Sequence, residues 1–380
     1  MQLKYKLGGI IMENKQIQKS GDNSQQIQAE TIIVNTGIDE KRAREIFDEK
    51  FAIARQDYAN EALAVVNARI KRFECCLIPK IVEIDKGLEA FADPSFQFLL
   101  LKAQKSAAST ERPADYDLLS ELLTNRIQNG GNRKIRAGIN RAVEIVEDIS
   151  DDALLGLTVF HSVSFFRPIS GNIHDGLDIL NNLFGKIIYG ELPVGQDWLD
   201  HLDVLDAVRI NSFGSINKIQ AIYPVALEGY VAVGIKKDSE EYIRALEILN
   251  KAGLNPMDIL MQHVLNSDYV RINIPQKATV DTLNFNIITV VNNNPQTLIP
   301  LSDSQKKAIA SIYELYQNDA TTKEQNIQKF MTEWDKRPNL KILREWWDNL
   351  PSLLIEITSV GKALAHANAQ RCDNNLPSLN

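Results

Sequence analysis

Residues 39–80 read DEKRAREIFDEKFAIARQDYANEALAVVNARIKRFECCLIPK. Within them Ile46, Phe47, Phe51, Ile53, Ala54, Tyr58, Ala62, Leu63, Val66, Ile70 and Phe73 recur at helical spacing, with charged residues between. Asp39 is placed to accept the free amides of a first turn, and Glu40 favours the positive end of the helix dipole. No glycine or proline intervenes before Pro79, so the pattern predicts one helix of about 40 residues, roughly 60 Å long. That length suits a stalk or a seam between helices. The apolar positions do not hold a strict heptad, so bundle packing is expected over a regular coiled coil.

Immediately upstream stands GDNSQQIQAETIIVN, residues 21–35, a polar-then-apolar stretch of β character. Ile27, Ala29, Thr31 and Ile33 fall on one side of an extended chain, with Ile32 and Val34 on the other. A lone strand, or even a lone two-stranded hairpin, is marginal in water. Two partners are open to it: copies of itself, or the alternating stretch Thr282 to Val291. We take the first. Copies around a cyclic axis would close their edges against one another, with Asn23, Ser24, Ile27, Gln28, Ala29, Ile32, Ile33 and Val34 as the oligomerisation residues. Residues 1–11 are weakly basic and apolar without a continuous apolar core. They read as an upstream start or as disordered, with Met12 the more natural beginning.

Downstream, the helical pattern continues. Pro94 to Ser106 is apolar, and Tyr116 to Ile127 carries a face of Leu118, Leu119, Leu122 and Leu123. Asn129 to Asn132 is a turn, and Ile135 to Ile149 gives the next face. Ser150-Asp151-Asp152 caps a helix through Phe160, and His174 to Tyr189 and Trp198 to Val208 follow. Ile222 to Pro224 and Gly229 to Gly234 are punctuated enough for strand or loop. Ser239 to Leu249 is a helix closed by Gly253, and Pro256 opens another through Leu265. Tyr269 to Ile274 and Thr282 to Val291 are expected to pair as an antiparallel hairpin. Ser302 to Tyr316, Thr322 to Trp334 and Pro338 to Asn368 return to helix. The fold class is therefore mainly α, helical bundle domains with a short N-terminal β element and a small β-hairpin in the C-terminal half. The organisation reads as 12–38 β-like, 39–190 helical, 191–300 mixed, and 301–380 helical.

Composition bounds the function. Among 380 residues, 49 acidic against 42 basic side chains leave a net charge of −7, which argues against a general nucleic-acid or anionic-membrane binder. Three cysteines, with Cys75 and Cys76 adjacent, cannot frame a disulfide scaffold, so a reducing cytoplasm is expected. No apolar run reaches the ~18 residues of a membrane span.

Signatures of chemistry are sparse. The histidines at 161, 174, 201, 263 and 366 are scattered, and no metal or cofactor is expected. Ser162 and Ser164 flank His161 without a nucleophile elbow. Asp197, Asp200, Asp203 and Asp206 surround His201. We read a solvated helix face, with Trp198, Leu199, Leu202 and Leu205 turned inward, over an acid–base or Mg²⁺ site. The candidate anion-binding residues are Arg133, Lys134, Arg136 and Arg141, which follow a glycine turn at a helix start. Trp346 and Trp347 are adjacent, so one of them is expected to meet another domain or subunit.

Two segments carry a family resemblance: Gly21 to Ala29 with Ile32 to Val34, and Thr358-Ser359-Val360-Gly361-Lys362-Ala363-Leu364-Ala365-His366-Ala367-Asn368-Ala369. They resemble the ends of an uncharacterised bacterial protein family known by locus-tag names, some members of which are encoded near mobile or antiphage-defence genes. The resemblance supplies no catalytic residue. It implies a bacterial interaction or regulatory protein whose first partner is itself. The alternatives from other classes are an enzyme acting on nucleotides or nucleic acid through Arg133 to Arg141 and Asp197 to Asp206, and a toxin-like effector.

Overall fold

The computed structural model of the chain describes residues 3–7, 10–14, 38–55, 62–278, 280, 287–291, 294–299 and 301–379. The segment bearing Asn23, Ser24, Ile27, Gln28, Ala29, Ile32, Ile33 and Val34 lies outside them. The leading residues, read as an upstream start or as disordered, include β1 (Leu3–Leu7) and β2 (Ile10–Asn14), antiparallel with Leu7 opposite Ile10. Gly8-Gly9 between two short runs is the hairpin signal in the sequence.

The expected 40-residue helix is corrected to two, α1 (Glu40–Arg55) and α2 (Leu63–Val82). Arg44 on α1 pairs with Glu74 on α2, and the Phe47 and Phe73 rings lie 6.0 Å apart. In one continuous helix those rings would stand about 39 Å apart. The chain instead folds back, and Ile46, Phe47, Phe51, Val66, Ile70 and Phe73 are buried within the molecule. Each phenyl ring so removed from water contributes roughly 1.5–3 kcal/mol. The start of α1 follows the sequence reading, with Asp39 Oδ1 accepting from Arg42 N at 2.7 Å.

After a 3₁₀ turn (Gly87–Ala92), the helical unit is built from α3 (Pro94–Ser109), α4 (Ala114–Gln128), α5 (Arg133–Ile145), α6 (Asp151–Phe165), α7 (Ile173–Ile187) and α8 (Asp197–Val204). Four of these six starts are capped by side chains. Asp93 accepts from Ser95 N, Asn132 from Lys134 N and Ile135 N, Ser150 from Ala153 N, and Asn172 from His174 N and Asp175 N. β3 (Val208–Asn211) follows, then α9 (Ile219–Ala226) and α10 (Glu228–Val231). These two short helices take up 222–224 and 229–231, where a strand or loop is expected over 222–224 and 229–234, and residues 232–234 remain loop. Tyr223, Tyr230 and Val231 are buried there against the helical core, which decides the conformation.

A second core gathers β4 (Ile235–Lys236), α11 (Glu240–Lys251), α12 (Pro256–Ile259), β5 (Leu260–Gln262) and β6 (Tyr269–Ile272) around Ile235, Leu249, Ile259 and Ile272. The strands form an antiparallel sheet in the order β4-β6-β5. Here the expected hairpin is corrected. β6 pairs with β4 and β5, while β7 (Ile287–Val291) pairs with β8 (Asn294–Ile299), where Val291 opposes Asn294. A local hairpin closes a shorter loop than pairing back to β6, and so costs less chain entropy. The helix expected from Pro256 through Leu265 stops at Ile259, because Leu260 to Gln262 join that sheet.

α13 (Asp303–Ile312), opened by a capping box of Ser302 and Gln305, completes the second core. After a 3₁₀ turn (Tyr313–Leu315), α14 (Ala320–Asp335) and α15 (Pro338–Asp348) return to the first core. The expected run of helix from Pro338 to Asn368 is divided by β9 (Leu354–Ile357), antiparallel to β3 with Val208 opposite Ile357, before α16 (Ser359–Cys372). The cause is non-local, since β3 lies about 150 residues upstream and satisfies the backbone groups of β9. Trp346 and Trp347 are both buried, and each meets a part of the chain distant in sequence. Trp346 Nε1 donates to Pro193 O at 2.7 Å and Trp347 Nε1 to Asn217 O at 2.9 Å. The helix lies between two loops of its own chain, and each indole faces one of them.

Arg271 on β6 is fully buried and joins the two cores. Its guanidinium donates to Ile272 O at 3.0 Å, Ile274 O at 3.3 Å and Gly171 O, and lies 5.5 Å from the Tyr230 ring centre.

Candidate functional site

The C-terminal segment singled out in the sequence is α16, and it runs through the middle of the helical unit against α4, α5 and α6. Alanines at 363, 365, 367 and 369 are buried, which lets neighbouring helices approach closely. Thr358 opens the helix, its Oγ1 accepting from Gly361 N at 3.2 Å and donating to Asp206 O at 2.6 Å. A Cβ on Gly361 would stand 2.0 Å from Ala207 O, so only glycine fits at this approach of two backbones. Gly361→Ala is expected to cost about 1–3 kcal/mol, read as a fall in the urea midpoint at unchanged slope. An unaltered midpoint would mean that the strand β3 moves aside freely.

Further along α16, His366 meets His161 of α6. The two residues are buried, with His161 Nε2 3.3 Å from His366 Nδ1. His366 Nε2 lies 2.8 Å from Pro377 O, which must be its proton acceptor. His366 Nδ1 is then the acceptor, and the His161 Nε2–H donates to it. Phe165 and Phe166 pack against both rings. Burial holds His161 down at about 3, with His366 and Lys362 adding to the shift, and burial lowers His366 as well. The pair is neutral at neutral pH.

The hydroxyls and amides beside it are also committed to internal partners. Ser162 Oγ donates to Thr158 O at 2.7 Å, and Asn368 Nδ2 to Thr158 Oγ1 at 2.8 Å. Asn368 Oδ1 accepts from Arg371 Nε at 2.8 Å, and Arg371 lies over the Tyr189 ring. Ser162 is thus turned away from His161, toward its own helix. The seam joins residues about 200 positions apart, and nothing in either local pattern announced it.

The candidate anion-binding residues lie on α5. Arg133, Lys134 and Arg141 are exposed and Arg136 is half-buried. Asn132 already accepts two amides at the start of that helix, and Arg141 pairs with Glu144 at 3.0 Å. The neighbouring Arg126 is buried, donating to Ser95 Oγ at 2.9 Å, and burial followed by repulsion from Arg136 lowers its pKa. Of the acidic residues, Asp197, Asp200 and Asp203 lie on α8 and Asp206 just beyond its end. Asp197, Asp200 and Asp203 face solvent while Trp198, Leu199 and Leu202 are buried, which matches the solvated-face reading. Asp206 pairs with Arg209 at 3.0 Å. Among the described residues no ion pair joins the basic set to the acidic one. Nor do three or more histidine, cysteine or carboxylate side chains there gather as metal ligands. Cys75 is exposed and Cys76 half-buried, its thiol pushed up to about 11 by burial and then by Asp117.

A protein-family model, described only by a bare “-like” label that names no activity, matches residues 37–377. The chain belongs to that family. The match takes in the whole helical body, including Thr358 to Ala369, and begins after Val34. No curated protein and no solved structure matches the chain. Among the described residues no helix is long and apolar enough to cross a membrane.

Proposed function

We propose that this is a non-enzymatic, homo-oligomeric interaction protein of the bacterial cytoplasm, assembled through the segment from Asn23 to Val34. The observation that supports an interaction role is the contrast between inside and surface. The seam's polar groups take partners within the chain, yet apolar clefts remain open outside. One, of about 470 Å³, is lined by Phe165, Ile179 and Leu376 among others. Open apolar concavities on a rigid helical body are the ordinary substrate of protein recognition. With α1 folded back on α2, the assembly reading rests on the N-terminal segment. Its regulatory setting, phage defence, is what the resemblance of the chain's two ends suggests.

Light scattering on the intact protein and on a version lacking residues 12–36 tests the assembly. The intact protein is expected at a multiple of the 42.7 kDa chain mass, and the shortened one at the mass of one chain. An unchanged mass would sink the proposal.

A further inference from the structure

Between the linker from α7 to α8 and the outer edge of α15 lies a second cleft, of about 410 Å³. Trp346 forms part of its lining, and the bond from the indole to Pro193 O fastens the linker to the helix, so the cleft is preformed. Its walls include Val194, Ile342 and Leu350. Val194 is 88% exposed and Ile342 47%, so both present apolar surface to an occupant of the cleft.

The rim is acidic. Glu191 and Glu345 line the cleft. Beside it stands α8, whose Trp198 meets Trp346 with ring centres 6.0 Å apart and whose Asp197, Asp200 and Asp203 face solvent. Among the described residues, no cation lies within 4 Å of Glu191, Asp197, Asp200 or Asp203. Glu345 has only Lys341, at 3.9 Å. An apolar floor edged by two carboxylates, one of them without a counter-charge, beside the acidic face of α8, selects its occupant by charge as well as by shape.

We propose that this cleft docks a basic segment of a partner protein. One or two large apolar side chains enter against Trp346 and Ile342, and flanking lysines or arginines meet the carboxylates. An acidic segment would set like charge against the rim, and a polar one would leave the apolar wall wet. The inference rests on the interaction reading above and names the partner's chemistry.

The test uses the full chain and three fluorescent 14-residue probes. The first carries Leu and Phe four positions apart among lysines, the second the same pair among glutamates, and the third lysines with Ser in place of Leu and Phe. By anisotropy the first is expected to bind at least about tenfold more tightly than the other two. Ile342→Asp and Val194→Asp, both at exposed positions, should each weaken it about tenfold, and Glu191→Lys with Glu345→Lys should weaken it too. Failure of the first probe to bind, equal binding of the three, or indifference to Ile342→Asp overturns the proposal. Light scattering on Ile342→Asp separates this result from the assembly reading. Its mass is expected to be that of the unaltered protein, whichever way the probes behave. A fall in mass would assign the cleft to a second copy of the chain and overturn docking of a basic partner.

Discussion

Between pH 6.5 and pH 4 the protein is expected to lose stability steeply, by roughly 1.4 kcal/mol per pH unit for each histidine that stays neutral in the folded state. Three do so. Burial, then His366 and Lys362, holds His161 at about 3. Burial, then Arg271, holds His263 at about 4, with its Nε2 donating to Ala232 O at 2.8 Å and its Nδ1 accepting from Leu265 N at 3.1 Å. Burial lowers His366 also. In the unfolded chain each takes up a proton near pH 6.5. Below that pH the unfolded state therefore holds more protons than the folded one, and stability rises with pH. The contribution is complete above pH 6.5 and is lost as pH falls, for His161 down to about 3. Protonating the pair in place would set an N–H against an N–H. Urea midpoints at pH 7, 6 and 5 measure the slope, and His161→Gln should reduce it by about 1.4 kcal/mol per pH unit between pH 6 and 5. A flat profile over that range would show that these histidines are open to protons in the folded protein.

Truncation at Trp334 should have the largest effect of any single side chain. Trp334→Ala is expected to cost about 3–5 kcal/mol, with roughly a further 1 kcal/mol from the bond it breaks. The ring is fully buried on α14, 4.5 Å from Tyr223 and 6.1 Å from Phe330 between centres, and its Nε1 donates to Leu340 O at 2.7 Å. It thus ties α14 to both α9 and the start of α15. Trp334→Phe keeps most of the apolar contact but leaves Leu340 O without its donor, so its cost should lie well below that of alanine. Circular dichroism during urea unfolding separates the two. Equal losses would assign the whole effect to the hydrogen bond.

The local features of the fold were legible because their causes are local. Asp39, Ser150 and Pro256 sit at helix starts as their chemistry requires, and Gly253 closes α11 in the left-handed region at φ +66°. The solvated acidic face of α8 followed from alternating Asp and apolar residues on one turn. The misreadings share a different cause. Periodicity told that residues 40–82 are helical, but not that the chain folds back on itself to bring Phe47 to Phe73. Propensity extended α15 into α16, because the strand that competes for residues 354–357 is β3, far upstream.

By itself, then, the sequence determined that this chain is mainly α-helical, where most helices begin, and which faces they bury, since spacing and capping are read within one or two turns. Tertiary structure alone decided the pairing of His161 with His366, the glycine at 361 against Ala207, the buried Arg271 between two cores, and the acidic rim around the cleft at Trp346. Each of these depends on residues brought together across long stretches of chain. Such contacts are set by how whole helices pack, and no local pattern encodes them.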